Sequence, residues 1–290
     1  MSKKDIKIGG DLNPTPEDKR DLRLGSVFLL PKLSSLPDGF VLESLRVKNQ
    51  LDSDFCSAFA TCGMRELQEG EELSPEFSFA LSKVLSGDPQ QWGQDQRTAM
   101  KTHQKYGAIR RALAGDFNLE SKRANLLRDV SNWPDAEKLK EMAKEHLAES
   151  YFEVTGPYDH FDNIRASIWK FRAEKRAASF GTIWGWSAFE AVIPDRFPEK
   201  GGGHMMYFVG WKNVEGVVHL VCQNSYGPEV GEEGKFYFPR GVVNEMVARY
   251  KSFMFVDMPV KDAKFLNEKN GAWWARLWVV IKNYFRFFVK

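Results

Sequence analysis

The sequence is poor in cysteine and has no long apolar run. Its 290 residues include three cysteines, Cys56, Cys62 and Cys222, whereas a disulfide framework needs an even and denser set. We therefore predict a reducing compartment such as the cytoplasm. No run of about 18 uncharged apolar residues occurs, so we expect no ordinary spanning helix. The first twenty-one residues contain no apolar stretch, so we expect no secretory signal.

An excess of charge of either sign is also lacking. Lys and Arg number 41 and Asp and Glu 39, which leaves a net charge of +2. A chain so close to neutrality gives no reason to expect nucleic acid as its main partner. Motifs of the zinc-finger, glycine-loop and RNA-binding kinds are missing as well, so we expect neither a metal nor another cofactor.

What the sequence does contain changes character halfway along. Residues 26–115 read mainly as helices, whereas residues 150–262 carry aromatic and β-branched residues between Gly and Asn turns, as strands do. This pattern predicts an α+β fold. Residues 1–25 are polar and turn-rich and are interpreted as an N-terminal arm. Residues 116–150 are charged and helical and are interpreted as a surface insertion.

Local signals predict where several elements begin and end. Ser53 or Asp54 can cap a helix that Gly70 ends. Ser74, which stands directly before a proline, starts the next helix. The tetrapeptide NVEG at 213–216 predicts a tight hairpin between two strands.

One cysteine differs from the others in its surroundings. Cys56 lies at the start of the predicted helix, where the helix dipole favours a thiolate, and the amide donor Gln50 stands six residues before it. A buried, unreactive thiol is the other interpretation of this position. Cys62, which faces away from Cys56 on the helix, and Cys222, which lies in an apolar strand, fit that second interpretation.

The candidate base is His204, which follows three glycines and starts the strand HMMYFVGW; a structural histidine is the alternative. Alternation along the following strand places Asn224 among apolar residues, so we expect its buried amide to pair with an imidazole. The hairpin makes the two strands antiparallel neighbours. His219 lies on the opposite face of its strand. The remaining histidines are interpreted as solvated (His103 and His146) or as part of a loop (His160).

These segments, in this order, resemble the papain family of cysteine peptidases. The resemblance rests on VKNQ with a cysteine six residues after its glutamine, on GGHMMYFVGW and on CQNSYGPEVGEEGKFYFPRG. It extends over about residues 17–257 and is greatest to the bacterial and viral branch. It implies a two-lobe fold, with a helical lobe, a β-barrel-like lobe and a cleft between them, and an endopeptidase that acts on polypeptides. The residues to which it gives roles are Cys56 as nucleophile, His204 as acid and base, Asn224 as the group orienting it, Gln50 as oxyanion donor, and Gly93, Gln94 and Tyr226 at the substrate.

Three positions depart from the family pattern. Ser53 stands where the family usually has a disulfide cysteine, Ser57 where it has a tryptophan after the nucleophile, and Tyr226 where a tryptophan covers the His–Asn pair. The first departure agrees with a reducing compartment. The other two bear on the shape of the site.

Two other functions remain open. One is a catalytically silent protein of the same fold with a structural or binding role, against which the intact Cys, His, Asn and Gln set argues. The other is a thiol acyl-transferase, such as a transglutaminase, or an amidase. Those enzymes usually orient the histidine with Asp, so Asn224 favours the peptidase.

Both ends of the chain lie outside the predicted peptidase domain, residues 26–262. The arm is either a surface-packed terminus or a strap across the cleft that keeps the enzyme latent. The tail, residues 263–290, ends in an aromatic and basic segment, 271–290, whose cations share one side of a helix. A helix docked on the enzyme itself is one interpretation. Attachment to a membrane surface or to a protein assembly is the other, and it adds membrane association or a viral particle to the cytoplasm as locations.

Overall fold

The computed structural model describes residues 12–259 together with Lys261 and Asp262, so the predicted tail, 263–290, and the first part of the arm lie outside the described residues. The α-helices are α1 (Leu24–Val27), α2 (Cys56–Glu69), α3 (Pro75–Ser86), α4 (Gln96–Lys105), α5 (Arg111–Ala114), α6 (Ala124–Leu127), α7 (Ala136–Ala143), α8 (His160–Lys170) and α9 (Arg240–Tyr250). The β-strands are β1 (Leu12–Asn13), β2 (Phe40–Val41), β3 (Gln94–Asp95), β4 (Ser150–Glu153), β5 (Ala178–Trp184), β6 (Gly202–Val214), β7 (Val217–Gln223), β8 (Lys235–Phe238) and β9 (Phe253–Val256). Short 3-10 helices cover Leu33–Ser35, Val130–Asn132 and Lys144–His146. In this part of the chain, every helix is too short or too polar to cross a membrane.

The ends of α2 and α3 follow local signals. Gly70 ends α2 with a φ of 73°, the left-handed geometry that glycine adopts without strain. The Ser74 hydroxyl accepts a hydrogen bond from the Phe77 amide at 3.2 Å and so caps α3 as predicted. The predicted cap of α2 is wrong, because no side chain caps its first turn. The Asp54 carboxylate instead binds groups outside the helix.

The second half of the chain folds into a curled antiparallel sheet. The strand order is β2, β6, β7, β8, and β5 pairs with the part of β6 that precedes its contact with β2. The β6–β7 hairpin turns at Glu215 and Gly216, which both have positive φ. The hairpin predicted from NVEG is therefore confirmed, and so is the antiparallel pairing of the two strands.

Helix α2 lies between two hydrophobic cores. Ala60 and Met64 pack with residues of the sheet, whereas Phe55 and Phe59 pack with α3 residues such as Phe77. The helix therefore belongs to the helical lobe and also provides the surface against which the β-rich lobe packs. The predicted α+β, two-lobe fold is confirmed.

Residues 116–150 are more than a surface insertion. Leu127, Trp133 and Leu139 are buried in the core that contains Phe77. The Trp133 indole N–H donates to the Leu127 carbonyl at 2.9 Å, which satisfies the polar atom of this buried ring. The apolar residues of this segment thus complete the core of the helical lobe.

Three histidines lie in other surroundings than the sequence suggests. His103 is fully buried, and its Nε2 lies 3.1 Å from the Thr61 hydroxyl. His146 is buried and bonds Glu69. The prediction that these two are solvated is wrong, because partners far away in sequence cover them. His160 is the first residue of α8 and not part of a loop.

Candidate active site

Cys56 is the first residue of α2 and is 3% exposed. Its position at the positive end of the helix dipole favours a thiolate. Burial raises the pKa of Cys62 to about 12 and raises the pKa of Cys222 well above its ordinary value. Both therefore remain thiols at neutral pH, and none of the three cysteines is in a disulfide.

His204 and Asn224 meet across the β6–β7 pair. The His204 Nε2–H donates to Asn224 Oδ1 at 2.8 Å, and the Ser225 backbone N–H donates to the same oxygen at 2.8 Å. Asn224 is buried, as the alternation of its strand predicts. The shared oxygen fixes the amide, and the amide fixes the plane of the imidazole.

Two aromatic rings enclose the imidazole of His204. The Tyr226 ring centroid lies 5.3 Å from that of His204 with the planes tilted by 50°, and the Trp184 ring lies at 6.1 Å and 87°. Tyr226 was predicted at this place from the resemblance, whereas Trp184 was not predicted. The β5–β6 register pairs Trp184 with Gly202, two residues before His204, and no local signal reveals that pairing.

The imidazole is fully buried, and this controls its protonation. Burial lowers the pKa of His204 to about 4. The hydrogen bond with Asn224 acts in the opposite direction but is the smaller effect. Within the described residues, Nδ1 of His204 has no hydrogen-bond partner. Because Nε2 is held by Asn224, Nδ1 is the nitrogen left to exchange a proton with a reacting group.

Gln50 is held at both ends of its amide. Its Oε1 accepts a hydrogen bond from the Ser225 hydroxyl at 2.6 Å, and its Nε2 donates to the Ser53 carbonyl at 2.9 Å. Ser225, next to Asn224 in sequence, thereby orients Asn224 through its backbone and Gln50 through its side chain. This role of Ser225 was not predicted from the sequence, where its position next to Asn224 is the one signal for it.

Gly93 and Gln94, predicted to line the cleft, are held by other parts of the chain. The Gly93 amide donates to Asp54 Oδ2 at 2.8 Å, and its carbonyl accepts from the Lys83 ammonium. Gln94 is in β3, and its backbone pairs in parallel with Leu12 of the arm.

The arm passes between the two lobes beside His204. Leu12 is paired with Gln94 on one side, and on the other a Cβ added to Gly203 would lie 2.2 Å from the Leu12 carbonyl oxygen. Only glycine allows so close an approach of two backbones. The Leu12 side chain is buried and lies against Gly181. The arm thus bridges the strand that carries His204 and the loop that carries Gly93.

If the chain is the peptidase that its sequence predicts, removal of the arm is expected to increase the rate of peptide cleavage. Deletion of residues 2–16 removes β1 but keeps Asp21, whose carboxylate bonds Arg97 of α4. If the arm leaves the cleft open in about one molecule in ten, only that fraction of the intact protein can bind a peptide. Deletion opens the cleft in every molecule, so the rate of cleavage of a small peptide should rise about tenfold. Deletion of residues 2–8, which leaves β1 in place, is the control. Initial rates measure both, and a synthetic peptide of residues 9–17 should inhibit the longer deletion. An unchanged rate in a folded protein would refute the strap.

Stability is expected to fall as the solution becomes acidic. Burial lowers the pKa of His204 to about 4 and that of His103 to about 3, while an unfolded histidine titrates near 6.5. Below pH 6.5 the unfolded chain therefore binds protons that the folded chain does not. Each such histidine adds a slope of about 1.4 kcal/mol per pH unit to the free energy of unfolding. Urea denaturation between pH 7 and 4 measures this. His103→Gln should remove one such slope, and an unchanged slope would contradict the prediction.

The described residues contain no group of three or more His, Cys, Asp or Glu side chains arranged to hold a metal ion.

Comparisons with known proteins give structural relatives alone. No family model and no curated sequence matches the chain. Xylellain, a cysteine protease from Xylella fastidiosa, is 18% identical with a TM-score of 0.66, and the match covers 87% of this chain and 97% of xylellain. Digestive procathepsin L 3 of the Tenebrio molitor larval midgut is 15% identical with a TM-score of 0.61, covering 84% and 74%. The bromelain protease from Ananas comosus, in complex with the E64 inhibitor, is 16% identical with a TM-score of 0.55, covering 75% and 98%. Together with the central helix and the curled sheet, these likenesses establish that the chain has the fold of the papain-like cysteine proteases.

Proposed function

We propose that the protein is a cysteine endopeptidase in which Cys56 is the nucleophile and His204 the acid and base. The observation that carries this proposal is the buried His204–Asn224 hydrogen bond of 2.8 Å, which leaves Nδ1 of the imidazole without a partner in the described part of the chain. Such an imidazole has one nitrogen fixed and one available for proton transfer. A polypeptide is the substrate we propose, and no cofactor takes part.

In the proposed reaction Nδ1 of His204 takes the proton of the Cys56 thiol, and the thiolate formed in this way attacks the carbonyl carbon of a peptide bond. The C–S bond forms and the π electrons move to the carbonyl oxygen. The His204 imidazolium then gives its proton to the amine as the C–N bond breaks. Water attacks the carbonyl carbon of the resulting thioester and gives a proton to His204. The C–S bond then breaks, the acid leaves, and the sulfur takes the proton back from His204, which restores the thiol–imidazole pair.

The negative oxygen formed in each step needs donors that are already in position. We assign one to Gln50, whose Nε2 carries two N–H groups, of which one donates to the Ser53 carbonyl. We assign the other to the backbone N–H of Cys56, because the first N–H groups of a helix have no intrahelical acceptor. The substrate backbone would replace Leu12 on Gln94 beside Gly93, and Tyr226 would border the site.

Covalent labelling tests the proposal. The wild-type protein and the arm deletion are incubated with a thiol-trapping peptidyl epoxide and then with a peptide library. We expect one adduct, at Cys56, and cleavage that the adduct abolishes. Cys62 and Cys222 serve as internal controls because burial holds both as thiols. Absence of an adduct in both proteins would favour a silent binding protein. Amide exchange onto an added primary amine without net hydrolysis would favour the acyl-transferase.

The C-terminal segment is proposed to attach the enzyme to a membrane surface or a protein assembly. The proposal comes from the spacing of aromatic and basic residues in 271–290. Truncation after Asn270 should leave peptide cleavage intact and abolish co-sedimentation with anionic liposomes. If the truncated protein unfolds, the segment belongs to the core and the attachment proposal is wrong. The cytoplasm or another reducing compartment remains the proposed location.

A further inference from the structure

The loop Gln91–Gly93, which precedes β3, is held in place by hydrogen bonds to buried charged side chains. Lys83 of α3 is 1% exposed, and its ammonium donates to the Gln91 carbonyl at 2.6 Å and to the Gly93 carbonyl. The Asp54 carboxylate accepts from the Gly93 amide at 2.8 Å. Both backbone groups of Gly93 are therefore bound by side chains. Because Asp54 stands two residues before Cys56, the loop is tied to the start of α2.

Arg128, which belongs to the segment 116–150, is the third charged side chain that holds this loop. Its guanidinium donates to Asp54 Oδ1 at 2.9 Å, and the two side chains are 5% and 0% exposed. The same guanidinium lies 4.8 Å from the centroid of the Trp92 ring. A buried ion pair contributes little net stability because its desolvation is costly, so fixing the position of Trp92 and Gly93 is the consequence that matters here. Asp54, Lys83 and Arg128 are called the loop clamp below.

Trp92 of this loop lines a cavity of about 490 Å³. Its lining includes Trp92, which is 53% exposed, together with Lys122 and Arg123. Among the described residues that line it, Asp52 is the one carboxylate. Arg128 also lines it, but its charge is balanced by the buried Asp54. The two remaining cations against one carboxylate leave the cavity with a net positive charge.

We propose that this cavity is a substrate subsite for an acidic side chain and that the loop clamp holds its wall. The proposal rests on the proposed peptidase function. The carboxylate would meet Lys122 and Arg123, and the methylene groups of the side chain would pack on the Trp92 ring. Trp92, which lines the cavity, is the residue directly before Gly93, and Gln94 of β3 follows Gly93, so a substrate paired with β3 would pass close to the cavity wall. Asp54 and Lys83 are positioning residues that act through the loop. Arg128 also lines the cavity, but its charge is paired with Asp54 and its guanidinium lies over Trp92, so we assign it the same positioning role.

Matched peptides test the charge preference. A cleaved peptide is varied to Glu, Gln or Lys at each position near the scissile bond, and kcat/KM is measured with the full-length protein and, in parallel, with the arm-deleted protein. At one position Glu should exceed Lys about fivefold to tenfold, the contribution of one or two partly exposed ion pairs. The preference should shrink as salt is added. The double variant Lys122→Glu/Arg123→Glu should reverse it. The control Lys138→Glu/Lys144→Glu makes the same charge change in α7 and at the residue that follows it and should leave the preference unchanged.

The loop clamp is tested by the ratio of kcat/KM for the Glu and Lys peptides, which a general loss of stability does not change. Arg128→Gln should erase the Glu-over-Lys ratio and raise KM. The rate of Cys56 alkylation by iodoacetamide, which needs no subsite, should not change. Arg128→Lys keeps the charge but loses the planar group over Trp92, so it should restore part of the ratio. Arg176→Gln removes another buried arginine, whose partners are Asp257 and the Phe255 carbonyl, and should lower the melting temperature without changing the ratio.

The outcomes distinguish failure of the subsite proposal from failure of the proposed peptidase function. If neither the wild-type nor the arm-deleted protein cleaves any peptide, the proposed function itself is wrong. If peptides are cleaved equally well with Glu and Lys at every position, the subsite is wrong and the peptidase stands. If Arg128→Gln does not fold, Trp92→Ala replaces it, because a half-exposed ring can be truncated without opening the core. An unchanged ratio in that variant would overturn the role of the wall.

Discussion

Cys56→Ala is expected to reduce peptide cleavage to the uncatalysed rate while the protein remains folded. Without the sulfur no thioester forms, and neither His204 nor Gln50 can supply a substitute nucleophile. Alanine is the best helix former and is smaller than cysteine, so α2 should still begin at this residue. Cleavage of a fluorogenic peptide measures activity, and circular dichroism with a thermal melt measures folding.

The matched control for this variant is Cys62→Ala, one and two-thirds turns further along the same helix. Cys62 is buried against the Ser78 hydroxyl at 3.3 Å, so its loss should cost stability and leave turnover intact. Cleavage by Cys56→Ala at the wild-type rate would end the assignment of this residue as nucleophile. Equal loss of activity in both variants with equal unfolding would mean that only the helix had been damaged.

Gln50→Ala is expected to lower kcat by about 10²–10³-fold, the usual loss for one oxyanion donor. Gln50 is 1% exposed and is held by Ser225 and Ser53, so its second N–H is already oriented before the substrate arrives. Because that N–H would act on the charged intermediate more than on the neutral carbonyl, KM should change little. Steady-state kinetics on one peptide measures both constants.

Two further variants distinguish this role from a packing role. Ser225→Ala removes the hydroxyl that donates to Gln50 Oε1 and should lower kcat by about tenfold, since one neutral hydrogen bond is lost. Gln96→Ala removes another buried glutamine, which donates to the Tyr250 carbonyl at 2.7 Å, and should lower stability without lowering kcat. If Gln50→Ala raised KM and left kcat unchanged, Gln50 would be a binding residue and not an oxyanion donor.

Several features of this protein are determined by short stretches of sequence. Ser74 caps α3 and Gly70 ends α2, because each acts on backbone groups within a few residues of itself. The turn at Glu215 and Gly216 likewise follows from its own tetrapeptide and brings β6 beside β7. Once those strands are neighbours, the period of two along a strand is enough to bury Asn224 beside His204. This part of the candidate site is therefore readable in advance.

Only the tertiary structure decided which polar groups are paired and which are covered. Asp54 fits a helix cap by its position in the sequence, yet it binds Gly93 and Arg128, 39 and 74 residues away. A carboxylate takes whichever donors the fold brings to it, and two strong donors in a buried site displace a solvated cap. The burial of His103 and the passage of Leu12 between the lobes have the same origin. Local spacing fixes backbone conformation, whereas the burial of a polar side chain depends on partners that folding alone brings together.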